Sequence, residues 1–240
     1  MITAISFDVW NTLLRIDVVF KRLANAIAIL KDMTPTEVEA IIRRVYRKAK
    51  ELRLYVTDSY EVTAFPARSR ALLASEIGID VDELQSMIDM TFDNIDLNDI
   101  LYEDVKQTLE FLNSMNFKMG IIGNTVFWES IYTRELLERL GLNTYFKTQI
   151  YSDEVGIFKP DKRIFLEFCR RLNVKPFDVL HIGDNVVEDV GGAISSGMKA
   201  MLIDRLGIAK KQAIPVIGVF IAQNLLDVLE AIQILDKESM

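Results

Sequence analysis

The sequence predicts an α/β fold: a doubly wound parallel sheet with an all-helical segment inserted after the first strand. Three observations predict it. Short apolar runs of strand length alternate with amphipathic helical segments through residues 97–240, the rhythm of strand–helix units around a parallel sheet. One apolar run, residues 2–7, stands apart at the beginning. Between the two, apolar residues recur at helical spacing. The expected division is a core of residues 1–15 and 97–240 with a helical cap of residues 16–96 inserted in it.

Taken in order, residues 2–7 are apolar and stop at Asp8, which reads as a buried strand. Val18, Val19, Leu23, Ala26, Ile27 and Leu30 then fall on one helical face. Thr34-Pro35-Thr36-Glu37 opens a second helix with a capping box and a proline at its first position. Arg43, Arg44, Arg47, Lys48 and Lys50 give that helix a basic side, either a solvated face or an approach that attracts anions. Residues 67–77 and 81–92 continue the helical pattern, split by the stop-and-restart signal Gly78-Ile79-Asp80. Helix 103–115 then precedes strand 118–122, and helix 129–140, closed by Gly141, precedes strand 148–151. Helix 162–172, strand 179–182, helix 189–196 stopped by Gly197, and strands 200–203 and 216–221 follow. A last helix, 225–235, is capped by Asn224. A helical insertion after the first strand hangs over the carboxyl ends of the strands and forms a natural lid.

Composition excludes several classes. Hydrophobic residues make up 50% and charged residues 26%, ordinary for a globular chain with a sizeable core. A net charge of −7 gives nucleic acid no basic field to bind. The single cysteine, Cys169, allows no internal disulfide and reads as a small packed residue in a helix. No apolar run reaches membrane-spanning length and no basic leader precedes the first strand, so a cytoplasmic protein is expected. Oligomeric state is not written in the sequence.

Four separated stretches each follow an apolar run and carry groups suited to phosphate-type chemistry. They are Phe7-Asp8-Val9-Trp10-Asn11-Thr12-Leu13, Ile121-Ile122-Gly123-Asn124-Thr125, Gly156-Ile157-Phe158-Lys159-Pro160 and Ile182-Gly183-Asp184-Asn185-Val186-Val187-Glu188-Asp189. In an open parallel sheet the loops at the strands' carboxyl ends converge on one crevice. His181 reads as a hydrogen-bonded core histidine, and no nucleophile partner marks a triad. Trp10, Phe127 and Trp128 either line the crevice mouth or pack in the core.

In their order, these four stretches resemble the four motifs of the haloacid dehalogenase-like hydrolase superfamily. The similarity spans residues 1–15 and 100–220, and the helical block matches that family's cap in position and type only. The resemblance implies that Asp8 is a nucleophile forming a covalent intermediate that water opens. It implies that Thr12 orients the Asp8 carboxylate and that Lys159 neutralises Asp8 and the transferring group. Acidic groups gathered beside Asp8 repel one another unless a cation holds them, and Mg²⁺ suits an oxygen-only site. Asp8, Asp184 and the Trp10 backbone carbonyl are its implied ligands, with Asp189 in support or as an alternate ligand. Gly123, Asn124 and Thr125 are the implied phosphate-binding residues, beside Trp10.

Two positions depart from the family pattern. Trp10 stands where its phosphatases carry a second aspartate, and an indole cannot shuttle a proton. Gly123 stands where a serine or threonine is usual, and the Thr125 hydroxyl is the expected substitute. The expected activity is Mg²⁺-dependent hydrolysis of a small phosphorylated metabolite through an aspartyl-phosphate. The alternatives are a 2-haloacid dehalogenase, which the aromatic residue at position 10 favours, and a binding or regulatory protein with little turnover.

Overall fold

The computed structural model describes residues 1–237 of the chain. It begins with β1 (Ala4–Phe7), every residue of which is buried. Six helices follow: α1 (Ile16–Lys31), α2 (Pro35–Arg53), α3 (Ser59–Thr63), α4 (Phe65–Ile77), α5 (Val81–Asp93) and α6 (Leu97–Ile100). After α7 (Glu103–Ser114) come β2 (Lys118–Gly123), α8 (Ser130–Arg139), β3 (Phe146–Tyr151), α9 (Ser152–Val155) and α10 (Lys162–Leu172). The remainder is β4 (Val179–Gly183), α11 (Gly192–Ser195), β5 (Lys199–Ile203), β6 (Gln212–Ile214), β7 (Val219–Ala222) and α12 (Val228–Lys237).

The strands form one seven-stranded sheet in the order β3-β2-β1-β4-β5-β7-β6. All neighbours are parallel except β6 and β7. β1 lies between β2 and β4, so the chain winds outward from it in both directions, as in a doubly wound sheet. Phe7 pairs with Ile121 on one side and Ile182 on the other. The loops after β1, β2 and β4 therefore leave the sheet side by side, and three of the four motif stretches meet there.

Local signals act as the sequence implies. The Thr34 hydroxyl accepts from the Glu37 N–H while the Glu37 carboxylate accepts from the Thr34 N–H, the reciprocal bonds of a capping box. Asp80 caps α5 through the Asp82 N–H, and Gly78 takes the left-handed conformation that ends α4. The helices between β1 and α7 leave and return through a short stem. There Arg15 N–H donates to Ile100 O at 2.8 Å and Tyr102 N–H to Leu13 O at 3.2 Å, flanking an antiparallel bridge between Leu14 and Leu101.

Two expectations need correction, and one strand was not foreseen. Residues 216–221 are not one strand: Pro215–Ile217 is a single 3₁₀ turn and β7 starts at Val219, because Gly218 at φ +71° breaks the extended run. The helix expected over 189–196 is regular only at Gly192–Ser195. A wide π-type turn, Val186–Gly191, precedes it, started by Asn185, whose side chain accepts from the Val187 and Glu188 N–H groups. β6 escapes sequence reading because it is a three-residue edge strand. No helix among the described residues is long and apolar enough to cross a membrane.

Candidate active site

Asp8 directly follows β1, with only 9% of its surface exposed. Its Oδ1 accepts from Lys159 Nζ at 2.7 Å. The same ammonium donates to Ile122 O at 2.8 Å and to Asp189 Oδ1 at 2.6 Å. An ammonium has three N–H donors, so Lys159 is fully committed and fixed in place. Asn124 fixes its backbone as well, donating to Lys159 O at 3.1 Å and accepting from Lys159 N–H at 2.9 Å. The four separated stretches thus come together around one buried amine.

Asp189 is equally committed. Its Oδ1 accepts from Lys159 and faces His181 Nε2 at 3.1 Å, and its Oδ2 accepts from the Asn185 N–H at 2.9 Å. Since a carboxylate can only accept, His181 carries its proton on Nε2, and Nδ1 then accepts from Ser6 Oγ at 2.8 Å. His181 is therefore the packed, satisfied histidine expected. Gly183 makes this approach possible: a Cβ there would fall on the Asp189 carboxylate.

One oxygen from each of Asp8, Asp184 and Asp189 lies within 4.8 Å of the others, a group that can hold a metal ion. Burial, together with the charges of Asp8 and Asp189, pushes the Asp184 carboxyl up to about 7. Burial also pushes Asp8 up to about 6, against the pull of Lys159. Asp189 goes the other way: burial raises it, but Lys159 and His181 together hold it below the usual carboxylate range. One ammonium thus serves Asp8 and Asp189 together, and Asp184 accepts only from Asn11 Nδ2 at 3.2 Å among the described residues, so the negative charge of Asp8 and Asp184 is compensated only in part, as in an oxygen site built for a cation.

Several expected roles do not survive the geometry. Thr12 does not orient Asp8: its hydroxyl is buried without a hydrogen-bond partner among the described residues. The turn after β1 winds around the Val9 carbonyl, which accepts from the Thr12, Leu13 and Leu14 N–H groups, and this carries the Thr12 side chain into the core. Thr125 does not replace a missing hydroxyl, because its Oγ1 pairs with Ser152 Oγ at 3.1 Å. Gly123 has a steric reason: a Cβ there would lie 2.8 Å from the Tyr151 ring. Neither Gly123 nor Thr125 lines the cavity beside Asp8, whereas Trp10 and Asn124 do. Trp10 packs edge-on against Trp128 at 5.4 Å and Phe92 of α5 at 6.4 Å between ring centres. Phe127 and Trp128 are themselves core residues, in contact with Phe20 of α1.

That cavity measures about 20 Å³, and its roof is α2, through Tyr46, Lys50 and Arg53. Arg53 is almost wholly buried, paired with the Glu188 carboxylate and stacked 5.3 Å from the Phe158 ring. Its Nε–H has no partner among the described residues. Sequence reading missed Arg53 and Glu188. The basic side of α2 was the available signal, but spacing alone does not separate Lys50, which reaches the cavity, from Arg44 and Lys48, which pair with Glu76 on the surface.

Known proteins repeat this fold. The fold superposes on a HAD (haloacid dehalogenase-like) phosphatase from Thermococcus onnurineus with a TM-score of 0.66, at 23% identity, covering 96% of this chain and 98% of that one. It superposes on a 2-haloacid dehalogenase from Pseudomonas syringae with a TM-score of 0.64, at 25% identity, covering 97% and 99%. A glyceraldehyde 3-phosphate phosphatase of Methanopyrus kandleri is 38% identical over 104 residues, 43% of this chain and 43% of that protein. The chain spans about half or less of the length of the curated relatives it matches first. Residues 2–197, which contain every residue of the site, match the model of the haloacid dehalogenase-like hydrolases, and the chain belongs to that family.

Proposed function

We propose that the chain is a Mg²⁺-dependent phosphomonoesterase that acts on a small phosphorylated metabolite through Asp8. The observation that carries this reading is the Lys159 ammonium held between Asp8 and Asp189 at 2.7 and 2.6 Å, with Asp184 alongside. Asp8 attacks phosphorus, an Asp8–O–P bond forms and the bond to the leaving alkoxide breaks, the alkoxide taking its proton from water because Trp10 has none to give. Water then opens the aspartyl-phosphate, returning the carboxylate and releasing inorganic phosphate. With all three N–H donors committed, Lys159 acts by charge and by aiming Asp8, a preorganised electrostatic contribution.

Asp8, Asp184 and the Trp10 carbonyl would hold Mg²⁺, and Asp189, its oxygens already accepting from three donors, supports them. When bound, the ion compensates the charge of Asp8 and of the phosphoryl oxygens. A cavity of about 20 Å³ takes a water molecule or an ion and no phosphate ester. The helical segment roofing it therefore acts as a lid on this reading, hinged at the stem of residues 13–15 and 100–102. The phosphatases among the relatives support the reading, and a cytoplasmic setting is proposed with it.

Trp10 favours a second reading, a 2-haloacid dehalogenase, since displacement of halide needs no proton for the leaving group. Asp184, a third acid beside Asp8 suited to a cation, opposes it. Hydrolysis of a generic phosphoester, assayed with Mg²⁺, with EDTA and in Asp8→Asn, tests the proposal. Activity confined to the first condition is expected. Equal rates in all three overturn the proposal, and halide release from a 2-haloacid in EDTA selects the dehalogenase.

A further inference from the structure

A second cavity, of about 790 Å³, shares Asn11 and Asp184 with the catalytic one and opens away from it past the stem. It is of the size that takes a whole small ligand. Three arginines reach its wall: Arg15 at the start of α1, Arg43 of α2 and Arg205 after β5.

The commitments of these three differ. Arg205 donates to Asp104 Oδ2 and to Thr12 O, both at 2.6 Å. Arg43 donates to Glu39 at 2.7 Å. Arg15 makes no side-chain hydrogen bond or ion pair among the described residues, and its guanidinium lies 4.3 Å from the centre of the Tyr102 ring. Arg205 stacks on that ring as well, at 4.0 Å. Two cations on one aromatic ring repel each other, and only one of them has a carboxylate to offset that cost.

Two acids of the same wall, Asp17 and Asp204, are occupied, and the third, Asp184, belongs to the candidate cation site. Asp17 holds Lys21 at 3.1 Å, and Asp204 accepts from the Leu206 and Ala209 N–H groups. Leu206 and Ile208 add exposed apolar surface. The cavity thus offers one uncommitted, planar, bidentate donor above an apolar floor, directly beside a site for a phosphoryl group.

Resting on the phosphatase reading above, we propose that this cavity holds the body of the substrate and that Arg15 binds a second anionic group on it, a carboxylate or a second phosphate. A guanidinium grips either of these through paired N–H bonds. The substrate class is then a phosphomonoester carrying a further anion, with a body larger than a three-carbon sugar phosphate.

The test uses straight-chain alkyl phosphates of graded length that end in methyl, in carboxylate or in a second phosphate. Each is assayed with Mg²⁺ on the wild-type chain, Arg15→Ala and Arg15→Lys, with Asp8→Asn as control. The measured quantity is the ratio of kcat/KM for the anion-ended ester to that for its methyl-ended twin. In the wild type this ratio exceeds ten at the best length. Arg15→Ala reduces it at least tenfold, mainly through KM, and Arg15→Lys recovers part of it. The terminus that loses more in Arg15→Ala identifies the second anion. A ratio unchanged by Arg15→Ala, with Asp8-dependent hydrolysis of the methyl-ended esters intact, overturns this inference alone. Absence of Asp8-dependent turnover across the whole series overturns the phosphatase reading and this inference with it.

Discussion

The floor and the roof of the catalytic cavity are finished to different degrees. On the floor, Lys159 has three acceptors, Asp189 accepts from Lys159, His181 and a backbone N–H, and Asn124 clamps the Lys159 backbone. In the roof, Arg53 has an unpartnered Nε–H and Lys50 lines the cavity with no side-chain hydrogen bond among the described residues. Chemistry that moves charge needs groups fixed before the substrate arrives, because reorganising them would add to the barrier. Groups that select a substrate gain by leaving donors for it to fill. The difference separates a part that performs the reaction from a part that completes itself on binding.

The comparison is broken most severely by removing its central cation. Lys159→Ala leaves Asp8 and Asp189 buried together without a counter-charge, which typically costs about 3–5 kcal/mol. Denaturant unfolding is expected to show a loss of that order, with phosphatase activity at background. Arg53→Met also breaks a buried ion pair, with Glu188. Here the roof can lift and admit water to Glu188, which keeps its bond from Asn124 at 3.3 Å. The expected loss is smaller, about 1–3 kcal/mol, with activity reduced chiefly through KM. Equal stability losses in the two variants would mean that floor and roof form a single rigid unit.

Protons and metal sharpen the contrast within the floor itself. Asp8 and Asp184 sit at about 6 and about 7, above the ordinary carboxylate value of 3.8. The folded state therefore holds protons that the unfolded chain has already released. The stability these protons represent is complete below about pH 4 and is lost as pH rises through 6 and 7. Asp189, held low, has the opposite sign: its contribution is present above about pH 4 and lost only on further acidification. A divalent cation replaces the protons on Asp8 and Asp184. The rise in Tm produced by Mg²⁺ is thus expected to be negligible at pH 5 and to reach a few degrees at pH 8, where about 1 kcal/mol corresponds to 2–4 °C. A rise independent of pH would detach those two acids from the metal.

Much of the floor was legible in the sequence because each motif stretch directly follows a strand, and strand order then decides which loops meet. Asp8, Lys159, Asp184 and Asp189 could be named before any coordinates, and the structure puts them in one cluster. The roof was not legible. α2 carries six cations between Arg43 and Arg53, and which of them point inward depends on how the helix docks against the loop after β2, through contacts such as Tyr46 with Phe127 at 5.7 Å. Hydroxyls were the other failure. A threonine side chain is short, so one turn of backbone decides whether it meets a carboxylate, a neighbouring serine or nothing, and the sequence does not record that turn. Thr125 went to Ser152, and Thr12 to no partner among the described residues.

Thr12 gives the smallest expected effect and the most specific test of how complete the floor is. Its Oγ1 is buried and has no partner among the described residues, so the folded state bears a desolvated hydroxyl without a compensating hydrogen bond from them. Replacing a group of that kind with an apolar one of the same shape is close to neutral or stabilising. Thr12→Val is therefore expected to leave Tm unchanged or raise it by about 1–3 °C, a gain within 1 kcal/mol. If the hydroxyl swings to the Asp8 carboxylate during the reaction, kcat falls at least tenfold while Tm still holds. If it serves only as packing, kcat and Tm are both preserved, because the floor already aims Asp8 through Lys159 at 2.7 Å and has no need of a second donor.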